Sequence, residues 1–85
     1  MDNKTNENYA YYIFGQNLKK YREQSGMTQE QLAEKSLYAL SFIKNIESKK
    51  VYQTASIGTA YKFAQVLEIP LYKLFEEPED SEANN

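Results

Sequence analysis

Ser41, Lys44, Asn45 and Ser48 recur at spacings of three, four and seven residues, which puts them on one side of a helix that turns about 100° per residue. They offer hydroxyl, amide and ammonium groups, a set suited to hydrogen bonding rather than to bond making and breaking. Asn45 has the geometry to bond adenine through two hydrogen bonds, Lys44 can approach guanine, and Ser41 lies beside both as a further contact to base edges. Ser48, Lys49 and Lys50 continue along the same helix and its exit, where a hydroxyl and clustered ammonium groups suit phosphate oxygens. Lysines at a surface can equally be solvated charge.

Leu40 and Phe42 flank this stripe in the stretch "SLYALSFIKNIE", so its opening turn is more apolar than a reader of base edges usually is. Apolar side chains can contact the thymine methyl group, which makes both residues candidate base contacts and implies a preference for A·T-containing sites. Phe42 can instead pack against the extended segment around Val51 and Tyr52, since small domains need all the burial they can find. In a third reading the pair anchors a protein partner, as exposed aromatic and aliphatic groups within polar rims do.

The composition removes most other chemistry. There is no Cys and no His among the 85 residues, which excludes thiolate nucleophiles, disulfides and the usual zinc ligand sets, and leaves no imidazole base. Glu30 and Glu34 share a helix face but lack any partner group or Gly-rich loop, and are read as solvated charge. No enzyme, cofactor, metal or small-molecule ligand is implied.

Charge is divided along the chain. The net value of -2 conceals a body of +3 over residues 1–75 and a run of -5 over the last ten, from Glu76, Glu77, Glu79, Asp80 and Glu82. A basic body suits an anionic partner, and the acidic end can compete for the same face as a charge mimic. The first residues, "MDNKTNENYA", are not basic and then apolar, and no apolar run approaches the roughly 18 residues of a membrane span. The expectation is a cytoplasmic protein without membrane contact.

The elements that would position these groups are helical. Residues 1–8 read as a disordered arm, 9–77 as the folded domain and 78–85 as a disordered acidic tail. In the first helix Tyr11, Phe14, Leu18, Tyr21 and Ser25 form one buried stripe that ends at Gly26. Gly15 within it costs about 1 kcal/mol relative to Ala and so implies close packing. Thr28 and Gln31 form a capping box for a second helix running to about Ser36. In the third helix Ala39, Ile43 and Ile46 face the core. In the fourth, capped by Ser56, Ile57, Ala60, Tyr61, Ala64 and Leu67 line one face, widened by Phe63 and Val66. Pro70 opens a last short helix with Leu71, Leu74 and Phe75 inward. Tyr9, Tyr12, Ile13, Phe63 and Tyr72 are candidates for a contact between copies. The whole is an all-α, compact five-helix domain.

Phe14-Gly15, Leu18, Tyr21-Arg22, Gly26-Met27-Thr28-Gln29, Leu32-Ala33, Ile43, Ile46-Glu47 and Leu67-Glu68-Ile69 together resemble the phage lambda repressor and Cro superfamily, the Xre-type helix-turn-helix domains. The resemblance covers Phe14 to about Phe75. It implies a DNA-binding transcriptional regulator of bacterial or phage type, a repressor by preference, whose third helix reads the major groove of double-stranded DNA as a homodimer. It also implies that Gln29 meets the phosphate backbone at the start of the second helix, and that Arg22 and Glu47 form a partly buried ion pair tying the first helix to the third. The same fold can instead serve as an antitoxin, antirepressor or adaptor. Three features depart from the pattern: Leu37 stands where Gly is usual, Lys49 replaces the Gly after the third-helix Glu, and "SKKVYQTAS" is about two residues long for its place. A left-handed residue other than Gly costs about 1 kcal/mol or more, so Leu37 implies an altered turn or compensating burial.

Overall fold

Three of the four α-helices begin where the chain supplies a side-chain oxygen for their free amides. In the computed structural model, which describes residues 6–78, the order is α1 (Glu7–Gln24), α2 (Gln29–Ser36), α3 (Leu40–Glu47) and α4 (Ile57–Leu67), followed by a 3₁₀ helix at Leu71–Phe75. Asn6 accepts from the amide of Asn8 at 2.8 Å. Thr28 accepts from Gln31 N at 3.0 Å while Gln31 Oε1 accepts from Thr28 N at 2.8 Å, the expected capping box. Ser56 accepts from Thr59 N at 3.0 Å. Only α3 starts without such a bond, at Ala39.

Two boundaries differ from expectation. Asn6 caps α1, so the helix starts at Glu7 inside the segment expected to be an arm. Residues 1–5 and 79–85, with the rest of that arm and the acidic tail, lie outside the described residues. The fifth helix is a single 3₁₀ turn, because Pro70 fixes its start and Lys73 N bonds Pro70 O at 3.1 Å across three residues. The fold is therefore four α-helices and a 3₁₀ turn, with no strand among the described residues.

The core draws one or more side chains from every element. Leu18, Leu32, Ile43, Phe63 and Leu74 are completely buried, each contributing about 1.5–3 kcal/mol relative to exposure. Of the expected α1 stripe, Phe14 and Leu18 are buried, Tyr11 and Tyr21 half-buried and Ser25 exposed. Ile13, expected at the surface, is buried where the C-terminal segment through Glu77 returns alongside α1. Asn17 holds that segment in place, donating to the carbonyls of Leu74 at 3.1 Å and Glu76 at 2.9 Å.

The face of α4 is turned from the expected one. Thr59, Ala60, Phe63, Ala64 and Leu67 are buried, while Ile57 is 74% and Tyr61 53% exposed. Apolar residues lie almost all round this helix, so periodicity alone does not single out the buried side. Phe63 decides it: its ring is wedged between Phe14 at 6.5 Å and Tyr38 at 5.2 Å. Phe63 is thus a core residue and no candidate for contact between copies.

Candidate nucleic-acid interface

The close passage of α1 against α3 sets the geometry. A Cβ at Gly15 would overlap the carbonyl oxygen of Ile46, so only glycine lets α1 approach the backbone of the last turn of α3. Gln16, one residue on, donates to the Glu47 carbonyl at 3.4 Å.

Beside this passage Arg22 and Glu47 meet as a two-pronged pair. Arg22 Nε donates to Glu47 Oε2 and Nη2 to Oε1, both at 2.8 Å, with side-chain exposures of 8% and 2%. Arg22 Nη1 donates to Met27 O at 2.8 Å, so the guanidinium also holds the bend between α1 and α2. The hydrogen bonds that Arg22 donates to Glu47 push its pKa above the ordinary value against the opposing effect of burial. No buried side-chain nitrogen or oxygen among the described residues lacks a partner, which is the condition under which a buried pair is stable.

Gln29 enters the same cluster, its Nε2 donating to Glu47 Oε1 at 2.9 Å. The side chain expected on phosphate is therefore fixed from behind by the ion pair, and it keeps one amide hydrogen to donate outward. This role for Gln29 was not legible in the sequence, because it depends on α2 and α3 converging at their far ends.

On α3, Ile43 and Ile46 face inward, and the stripe opposite them is open: Ser41 and Lys44 are exposed, Asn45 and Ser48 half-exposed. Ala39, expected inward, is the exposed N-cap. Phe42 differs from expectation. It is half-buried with its ring 5.4 Å from that of Tyr38 and packed on the core cluster. The Val51–Tyr52 segment does not cover it, and Tyr52 instead meets Tyr11 at 5.9 Å. Phe42 therefore supports α3 from the side, and its ring is not free to project with the stripe. Leu40 is half-exposed on the other flank.

The turn between α2 and α3 takes the left-handed form that glycine favours, with Leu37 at φ 69° and ψ 15°. Burial does not compensate, since Leu37 is 85% exposed. Stabilisation comes from its neighbours. Leu37 N bonds Ala33 O at 2.9 Å, Ser36 Oγ accepts from Tyr38 N at 3.3 Å, and the Tyr38 hydroxyl meets Thr59 Oγ1 at 3.0 Å.

Past the end of α3, Ser48 Oγ accepts from Lys50 N at 3.0 Å, turning the chain so that Lys49 and Lys50 stand exposed. The structure thus gathers Ser41, Lys44, Asn45, Ser48, Lys49 and Lys50 along one helix and its exit. Gln29 lies at the Glu47 end, and Arg22 and Glu47 lie beneath. No cluster of metal-ligating side chains and no helix long and apolar enough to cross a membrane occurs among the described residues.

Known proteins are similar to this chain in sequence and fold. A family model described as a helix-turn-helix domain matches residues 15–79. The HTH-type transcriptional regulator SinR of Bacillus subtilis (strain 168) is 31% identical over 70 residues, covering 82% of this chain and 62% of SinR. The chain thus spans less than two thirds of that relative's length. The crystal structure of SinR, the master regulator for biofilm formation, in complex with DNA matches with a TM-score of 0.68 and 32% identity. That match covers 74% of this chain and 98% of that one. A hypothetical transcription factor from Neisseria matches with a TM-score of 0.76 at 20% identity, over 89% of this chain and 85% of the other; this is a likeness of fold alone.

Proposed function

The chain belongs to the helix-turn-helix domain family, of the lambda-repressor and Cro type, and from that premise we propose that it is a sequence-specific DNA-binding transcriptional regulator acting as a repressor. One observation carries the reading: α3 presents the open stripe Ser41, Lys44 and Asn45 while its last turn is clamped by Arg22 and Glu47. A helix held rigidly from behind can present donors and acceptors to a major groove without paying to order them first. Asn45 bonds adenine, Lys44 approaches guanine, and Ser41 with the methyl groups of Leu40 completes the contact.

Phosphates flanking the groove take Gln29 and the amides at the start of α2 on one side, and Ser48, Lys49 and Lys50 on the other. That SinR was crystallised with DNA, over a segment matching this chain, supports DNA as the ligand here. The reading assigns the chain binding rather than catalysis. Two copies would occupy a pseudo-palindromic site with half-sites about 34–36 Å apart, one helical turn. The alternative of a protein-docking module anchored by Leu40 and Phe42 has less support, since Phe42 is half-buried against the core and the Tyr38 ring.

The test is enrichment of duplexes from a random-sequence pool, followed by affinity for the enriched duplex across a salt series. A palindromic motif, with log affinity falling steeply against log salt, is expected. No enrichment, and no binding at low salt, would reject the reading.

A further inference from the structure

Three tyrosines of no evident core duty stand next to the exit of α3. Tyr11, Tyr12 and Tyr52 line a concavity of about 250 Å³ together with Ser48, Lys49 and Lys50. It lies between the first half of α1 and the connection from α3 to α4. Tyr52 meets Tyr11 edge to face, with centroids 5.9 Å apart and planes at 88°, which holds the connection against α1. Tyr12 stacks on Tyr9 at 6.4 Å. Both Tyr12 and Tyr52 nevertheless stay open to solvent, at 44% and 56%.

Most tyrosine hydroxyls, these three included, have no bond among the described residues; those of Tyr21 and Tyr38 are bonded within the fold, to Glu76 and Thr59. Among the described residues no acidic side chain lines the concavity, although the chain carries 12 acids against 10 bases. Its polar lining includes phenol hydroxyls and ammonium groups beside the amides of Asn8 and Gln53, donors that match the non-bridging oxygens of a phosphodiester. The concavity also begins at Ser48, where the polar stripe of α3 ends.

We propose that this concavity is a second contact to the backbone of duplex DNA, taking one or two phosphates just beyond the base pairs read by α3. Lys49 and Lys50 supply charge, and the hydroxyls of Tyr12 and Tyr52 fix the position of the strand through neutral donors. The inference rests on the proposed DNA-binding function and adds α1, an element outside the helix-turn-helix pair, to the interface. A strand lying on Ser48 would continue across the tyrosines and could not leave the protein at the lysines.

The experiment is a double-mutant cycle between protein and DNA. The full chain and its Tyr12→Phe, Tyr52→Phe double variant are titrated against the enriched duplex, with neutral methylphosphonates placed one at a time along each strand. Phenylalanine keeps the rings and their packing, and equal thermal melts verify the fold. The unsubstituted protein is expected to lose about three- to tenfold at one or two adjacent phosphates, the scale of one or two hydrogen bonds. The variant should bind unmodified DNA more weakly and lose clearly less than the unsubstituted protein at those phosphates, where only the charge of Lys49 and Lys50 still acts, while both proteins respond alike to methylphosphonates elsewhere.

Additive losses at every phosphate would overturn the proposal and leave the DNA-binding function standing. So would stronger competition by a single-stranded oligothymidine than by the duplex, which would assign the tyrosines to base stacking. Failure of any duplex to bind would reject both.

Discussion

At the C-terminal end of α3, Glu47 accepts from Arg22 and Gln29 at 2.8–2.9 Å and Gly15 lets α1 close against the backbone. At the N-terminal end Ala39 offers no side-chain cap, and the preceding turn rests on a left-handed Leu37 that is 85% exposed. One end is over-determined by buried, fully satisfied groups; the other departs from the local preferences of its own residues. Stability is thus concentrated where α3 leaves the helix pair, and freedom to adjust is left where its first turn would meet a groove. Local openings of low cost are drawn from such weakly held ends.

The strongest way to break this contrast is at the ion pair. Arg22→Met leaves Glu47 buried without its partner, and a loss of about 3–5 kcal/mol is expected in urea denaturation. Adding Glu47→Leu should restore much of that loss, because the cost lies in the orphaned charge. A single variant within 1 kcal/mol of the parent, or a double variant no better than the single, would show that the C-terminal end is not held as argued.

Gly15→Ala ranks next. The added methyl meets backbone, which cannot swing aside as a flexible side chain can, so α1 and α3 must move apart at a cost of about 2–3 kcal/mol. Thermal unfolding measures the loss. A weaker grip on the enriched duplex, beyond what the unfolded fraction accounts for, would show that the displacement reaches the reading stripe.

How far this organisation is legible in the sequence follows the same division. Gly15 and the Thr28–Gln31 box are visible because each depends on a particular residue type at a particular spacing, whereas the Arg22–Glu47 pair follows only from the family resemblance. The buried side of α4 is not, since Ile57 and Tyr61 satisfy helical periodicity as well as Phe63 does, and only the rings of Phe14 and Tyr38 choose between them. The burial of Ile13 depends on Asn17 catching carbonyls 57 and 59 residues away, a contact that periodicity cannot register. Phe42 is ambiguous for a similar reason: it sits on the flank of its helix, and the position of Tyr38 draws it inward. Within the candidate interface the polar stripe of α3 is legible, whereas the clamp on Gln29 and the tyrosine-lined concavity need the helices in place.

Leu37→Gly tests the weak end. Glycine takes φ 69° without steric cost, and so little of Leu37 is buried that hardly any apolar contact is lost. A gain of about 1 kcal/mol is expected, the left-handed penalty of leucine less the extra chain entropy of glycine. A loss in the urea midpoint would mean that the leucine side chain has a partner and that the turn is not held against local preference.

The smallest expected effect separates stability from reading. Ala39→Ser supplies the missing N-cap of α3, its hydroxyl accepting from the amide of Ser41 or Phe42, and should add about 0.5–1 kcal/mol, or roughly 4 °C in melting temperature for a domain of this size. If the open start of α3 is slack that binding must take up, the same change will also tighten binding to the enriched duplex, by up to about fivefold on that energy scale. If instead the first amides of α3 are left free for a DNA phosphate, the serine hydroxyl will occupy them and affinity will fall while the melting temperature rises. Opposite signs in the two measurements would mean that the weak end of α3 is itself part of the contact surface.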